Sequence, residues 1–153
     1  MSHVQIDLPE AFPFRTELPV RIDDINYGGH LANDAVLSLA HEARVRLFRA
    51  HGWSELDVEG VGILMVDAAI VYRLEGRHGM TLAVEVAFDD VRSRGCDLVY
   101  RMTDVATGEE IARVKTGIVF FDGRARRVAR MPEAFRAVAV AAAGGAAKGE
   151  PGE

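Results

Sequence analysis

Between Asp23 and Leu37 the chain reads "DDINYGGHLANDAVL", with Asp24, Asn26, His30, Asn33 and Asp34 set around the pair Gly28-Gly29. These side chains can hold or move a proton. A carboxylate accepts one, an imidazole gives or takes one near neutral pH, and an amide orients a water without titrating. Glycines let the backbone approach a small molecule closely. The apolar helical pattern that follows begins with unpaired N–H groups at the positive end of a helix dipole, which can polarise a carbonyl. The stretch is read as a site loop running into a helix start, with Gly28, Gly29, Asn33 and Asp34 as binding residues. The structural alternative is a tight loop in which Asp24 and His30 only brace backbone.

Further candidates lie downstream. Glu42 is eight residues beyond Asp34, just over two helical turns, and is read as sharing its face. It can serve as a base there, or simply pair with Arg46 at i,i+4. Asp67 interrupts "GILMVDAAIVY", a run that reads as a buried strand. A carboxylate buried there is expected to have a raised pKa and to suit base catalysis. Arg92-Ser93-Arg94 is a short turn whose guanidinium forks suit a pyrophosphate at a subunit edge. Arg77-His78 and "RARR" at 124–127 are weaker versions of the same signal. Cys96 sits in a strand pattern and reads as packing.

Positioning these groups requires a particular order of elements. "FRTELPVRI" at 14–22 reads as a first strand and the glycine loop follows it. "NDAVLSLAHEARVRLFRAHG" reads as a helix, capped by Asn33 or Asp34 and stopped by Gly52. Val36, Leu39, Ala40, Ala43, Leu47 and Ala50 recur at three and four, with Leu37 and Phe48 widening the apolar face. Strand-like runs follow at "VGILMVDAAIVYRL", "MTLAVEVAFDDV", "CDLVYRMTDV" and "IARVKTGIVFFD", with turns at "ATGEE" and Asp122-Gly123. "PEAFRAVAVAAA" reads as a short closing helix. One long helix cannot cover both faces of such a sheet. The pattern therefore predicts an α+β fold, a curved antiparallel sheet wrapped around one central helix, with the outer face buried by another subunit.

Composition bounds the rest. The 153 residues, 49% hydrophobic, suit a single domain over 1–143, and the small residues of 144–153 suit a disordered tail. A net charge of −5 argues against a nucleic-acid binder, which usually shows a basic stripe or domain. One cysteine and no signal-like start point to a cytoplasmic protein. No apolar run approaches the roughly 18 residues of a membrane span. No metal site is expected.

The loop and its helix resemble the hotdog-fold thioesterases of the 4-hydroxybenzoyl-CoA thioesterase-like group. That group's signature looks like R-x-x-D-x-D-x-x-G-H-x-N-N-x-x-Y, leading into a helix with E-x-A-R; here Asp34 stands for its second Asn and Leu37 for its Tyr. Arg21, Asp24, Gly29, His30, Asn33, Ala43 and Arg44 match, with Glu42 close by in "HEAR". "GIVFFDGRARRVARMPEAFR" is similar to the family's last strand and ending. The resemblance spans about residues 16–137 and implies the hotdog fold, an acyl-CoA substrate, no cofactor beyond coenzyme A as part of that substrate, and a homo-oligomer, dimer or tetramer. It also implies a catalytic carboxylate where this chain carries Asn26, and an amide is no base. The residues left for thioester hydrolysis are then Asn26 and His30 as orienters and Glu42, Asp24 or Asp67 as base, with Glu42 favoured. A hotdog hydratase or dehydratase and a non-catalytic acyl-CoA-binding module are the alternatives.

Overall fold

The computed structural model describes residues 2–144. Five strands form one antiparallel sheet in the order β1 (Phe14–Pro19), β3 (Thr81–Asp89), β4 (Gly95–Asp104), β5 (Glu110–Asp122), β2 (Gly62–Tyr72), and β6 (Arg127–Ala129) returns along β5. Helix α1 (Asn33–Ala50) packs on the inner face against β1, β3 and β5, and α2 (Glu133–Gly144) closes one end over β3. This is the hotdog architecture that the sequence pattern and the resemblance imply. Gly144 ends α2, and the rest of the expected 144–153 tail lies outside the described residues.

The core follows from two periodicities. Along α1, Val36, Leu39, Ala40, Ala43, Leu47 and Phe48 are buried, as their three-and-four spacing requires. Along the strands every second side chain points inward: Leu82, Val84 and Val86 on β3, Leu98, Tyr100 and Met102 on β4, Val114, Thr116 and Ile118 on β5. Phe135 of α2 fills the end of the core, with ring centroids 5.8 Å from Phe48, 5.2 Å from Trp53, 5.5 Å from Phe88 and 4.9 Å from Phe120. Gly52 takes the left-handed conformation (φ 79°) that ends α1 and turns the chain toward Trp53. Leu37, expected in the apolar face, is instead 40% exposed.

Two expectations about surfaces are corrected. The outer face of the sheet is not an apolar surface waiting for a subunit. Residues of the N-terminal segment lie on it: Ile6 packs with Val71 and Val99, the Arg113 guanidinium donates to the Ile6 carbonyl at 2.9 Å, and Arg101 stands 4.8 Å above the Phe12 ring. Beside them run the ion pairs Arg101–Glu85, Arg113–Glu110 and Lys115–Asp67. Nor is β2 an interior strand. It crosses over to lie at the sheet edge, with Leu64, Met65 and Val66 all exposed.

That edge strand also explains Asp67. Met65 pairs with Ile118 and Asp67 with Gly117, so β2 carries one extra residue, Val66, as a bulge. Without it Asp67 would share the inward side of Met65. With it, Asp67 turns outward into water and over Gly117, where a side chain would strike the carboxylate.

Candidate active site

The glycine loop is a closed hairpin. Ile25 and Leu31 bridge its base, the Gly29 N–H donates to the Asn26 carbonyl at 3.0 Å, and Gly29 has the left-handed φ of 87° that the turn demands. The Asn26 side chain is built into this hairpin. Its Oδ1 accepts from the Gly28 N–H at 2.9 Å and from the His30 N–H at 3.2 Å. Asp24 is likewise a brace, its Oδ2 accepting from the Arg21 N–H at 2.8 Å. The loop is tied to the segment after β2 by the Leu31 N–H, which donates to the Gly76 carbonyl at 2.9 Å.

Above the loop's end, Asn26, His30, Asn33, Val36, Tyr72, Leu74, Glu75 and neighbours line an open cavity of about 460 Å³. His30 Nε2 lies 3.1 Å from Glu75 Oε1. Tyr72 donates its hydroxyl to the Asn33 carbonyl at 3.0 Å, and burial together with the Asp34 carboxylate pushes its phenol above the usual value. The Asn33 N–H opens α1 with no hydrogen-bond partner among the described residues. Helix capping differs from expectation: the cap position is Ala32, and Asp34 is the second helical residue, its N–H bonded to Asn33 Oδ1 at 2.9 Å. Asp34 favours the helix start through its charge rather than through a side-chain cap.

A second cavity of about 310 Å³ lies further down the helix between α1 and β2, lined by Asp34, Leu37, Ser38, His41, Arg44, Met65, Ala68 and Thr116. Asp34, Ser38 and His41 repeat at four and three and so share one face. Glu42 does not. Eight residues advance a helix by about 80° past two full turns, which swings Glu42 away from Asp34. It pairs with Arg46 Nε at 2.9 Å, and Arg46 in turn donates to Thr16 Oγ1 of β1 at 2.8 Å. Its expected place in the cleft is thus corrected.

His41 stands where Glu42 was expected. Its Nε2 lies 3.0 Å from Glu55 Oε1, and Glu55 Oε2 accepts from Arg44 Nε. Arg44 is 6% exposed and reaches the Tyr100 hydroxyl at 3.1 Å, which lies 2.9 Å from Thr116 Oγ1. Burial opposes the Arg44 charge, but Tyr100 and Glu55 outweigh it and hold the guanidinium pKa above its usual value. The sequence reading missed His41, Glu55 and Tyr72. The signal for His41 was present: it stands seven residues, nearly two turns, from Asp34.

The remaining candidates lie elsewhere. Asp67 is exposed, and the hydrogen bond from Lys115 at 2.9 Å lowers its pKa, opposite to the rise expected from burial. Arg92-Ser93-Arg94 forms the β3–β4 turn, at the end of the sheet opposite to the glycine loop. Arg92 pairs with Asp90 at 2.5 Å, and the Arg92 carbonyl accepts from Arg136 at 2.7 Å. Cys96 is buried, which pushes its thiol up to about 12. Among the described residues no group of three or more His, Cys, Asp or Glu is placed to hold a metal ion, and no helix is long and apolar enough to cross a membrane.

A family model described as the thioesterase-like superfamily matches residues 20–138. No curated protein sequence matches the chain. Among solved structures it is similar to a thioesterase superfamily protein from Jannaschia sp. CCS1, with TM-score 0.80, 17% identity, and 89% of this chain and 86% of that one covered. It is also similar to Slr0204, a 1,4-dihydroxy-2-naphthoyl-CoA thioesterase from Synechocystis, with TM-score 0.74, 20% identity, and coverage of 80% and 92%. A third is the gentisyl-coenzyme A thioesterase BH1999, with TM-score 0.71, 15% identity, and coverage of 80% and 99%. At these identities the structural likeness is one of fold.

Proposed function

From the membership of this chain in the thioesterase-like superfamily, we propose that it is an acyl-CoA thioesterase, hydrolysing a thioester to free acid and coenzyme A, acting in the cytoplasm and using no cofactor. The observation that carries the reading is the cleft between the N-terminal half of α1 and the edge strand β2. Its upper cavity holds His30, Asn33 and Tyr72, and its lower one Asp34, Ser38 and His41. The Asn33 N–H, unpaired among the described residues, and the positive end of the helix dipole lie at the upper end of this cleft, where they favour a negatively charged part of the substrate. His30, oriented by Glu75, lies at the same end. Asn26 acts indirectly: its Oδ1 fixes the Gly28 and His30 backbone, so it shapes the loop rather than attacking. Leu37, Met65 and Ala68 offer apolar wall for the acyl group.

The cleft opens beside β2, an exposed apolar edge of the kind that pairs with another strand. The working unit is a symmetric homodimer in which β2 meets β2 of a second copy. A two-fold axis makes that pairing antiparallel, which reverses the sheet ends. The Arg92–Arg94 turn of one subunit is thereby carried toward the glycine loop of its partner, where guanidinium groups can meet the coenzyme A phosphates.

A thiol-release screen over short, long and aromatic acyl-CoAs tests the reading. Release well above the rate without protein is expected for at least one class. The non-catalytic acyl-CoA-binding alternative, favoured by the amide at Asn26, predicts thermal stabilisation by acyl-CoA without any release.

A further inference from the structure

We propose that His41 is the general base of this hydrolysis and that Glu55 is its positioning residue; the proposal rests on the thioesterase reading above. Every carboxylate expected to serve as base is engaged elsewhere or faces away. Asp24 braces the loop, Glu42 pairs with Arg46 toward β1, and Asp67 sits on the outer face with Lys115. Asn26 cannot take a proton. Two titratable groups share the helix face that lines the lower cavity, Asp34 and His41, and of these His41 is the one held by an orienting partner, Glu55.

The geometry around His41 is that of an oriented base. The Glu55 carboxylate, which also accepts from Arg44, accepts hydrogen bonds, so in the neutral imidazole this pairing puts the hydrogen on His41 Nε2 and leaves the lone pair on Nδ1. Glu55 cannot easily leave. Its second oxygen is held by Arg44, which is fixed in the core through Tyr100 and Thr116. Its backbone is fixed too, the carbonyl accepting from the Ile63 N–H at 2.9 Å at the start of β2. A nearly buried arginine is costly to desolvate, and its hydrogen bonds to Glu55 and Tyr100 offset that cost. What the arginine provides here is a carboxylate locked against an imidazole at the mouth of a cavity.

The step balances as follows. Nδ1 of His41 takes a proton from water as the water oxygen forms its bond to the thioester carbon, giving a tetrahedral oxyanion and an imidazolium. The C–S bond then breaks, the carbonyl re-forms, and the imidazolium returns the proton to the departing thiolate. The products are the carboxylic acid and the coenzyme A thiol, with His41 neutral again.

The test compares steady-state thiol release for the wild-type protein with His41→Gln, His41→Gly and Glu55→Gln, each checked for native circular dichroism. His41→Gln is expected to lower kcat by about 10²-fold or more while KM stays within about threefold. Imidazole added to the buffer is expected to restore turnover to His41→Gly, which a merely structural histidine would not allow. Glu55→Gln is expected to lower kcat by about tenfold with little change in KM, through loss of orientation. A turning-over wild type whose His41→Gln variant keeps its kcat, or loses only KM, overturns this proposal and leaves the thioesterase reading standing. A folded wild type that releases no thiol from any acyl-CoA class overturns the reading, and the proposal with it.

Discussion

Arg44 ties Glu55 at the cleft to Tyr100 in the core, so its removal is measurable as a loss of stability. The substitution Arg44→Met keeps most of the stem volume, so little cavity is created, and removes the charge. Two things are then lost: the hydrogen bond to the buried Tyr100 hydroxyl and the counter-charge of Glu55. Removing one partner of a buried pair costs about 3–5 kcal/mol. The Glu55 side chain is 25% exposed and keeps His41, so water screens part of the stranded charge and the expected loss sits near the low end, about 3 kcal/mol. For a chain of this size each kcal/mol moves Tm by about 2–4 °C, which gives a fall of about 6–12 °C. The assay is thermal unfolding by circular dichroism at fixed protein concentration, with chemical denaturation as a second measure. Glu55→Gln made in the Arg44→Met background should cost much less than it does alone, a coupling of about 1 kcal/mol or more. A fall in Tm under 2 °C, or additive losses in the double variant, would refute the claim that Arg44 anchors Glu55.

Other outcomes follow from the same structure. Cys96, with its thiol pushed up to about 12 by burial, should stay unlabelled by a thiol reagent in the native protein and react at once on unfolding, so the protein itself adds no signal to a thiol-release assay. Asp67 has its folded pKa lowered, first by the Lys115 hydrogen bond, so its stabilisation is present above the unfolded carboxylate pKa and is lost as pH falls through the folded one. Being exposed, the pair contributes within about 1 kcal/mol; Asp67→Asn should therefore be slightly less stable than wild type at pH 7 and match it in strong acid, as read from urea midpoints across pH. Asn26→Ala should lower turnover about 10–100-fold by releasing the loop N–H groups, and wild-type turnover in that variant would show that the hairpin does not shape the site.

How far these features could be read from the sequence depended on whether one residue or many carried the signal. Helix α1 was legible because six apolar residues repeat its period, and its observed limits differ by little from the pattern. The hairpin turns at "ATGEE" and Asp122-Gly123 were legible because their chemistry is local, and both join strands in the fold. The place of β2 was not. An apolar run reads alike whether it lies mid-sheet or at an edge that a second subunit covers, and only the crossover to the far side of β5 decides. Asp67 was misread for a related reason: the bulge at Val66 reverses the inward side of the strand and leaves no mark on its composition. At the site, His41 and Glu42 are neighbours in sequence but about 100° apart around the helix, and the partner that makes His41 matter, Glu55, lies beyond the helix end. A pairing across fourteen residues of chain and a sharp change of direction is a tertiary fact. Asn26 was legible as a departure from its family's pattern, but not as a hairpin brace, because the two N–H groups it binds are defined only once Gly29 has turned the backbone.

Hydrolysis of a thioester in this cleft is the reaction proposed for the protein. It is tested most directly by incubating the protein with the best acyl-CoA of the screen in ¹⁸O-labelled water and analysing both products by mass spectrometry. Free acid carrying one ¹⁸O atom in its carboxylate and an equal amount of coenzyme A thiol are expected, formed at a rate that falls with His41→Gln. Intact thioester after prolonged incubation, or a thioester that gained water across its acyl chain while keeping its C–S bond, would contradict it.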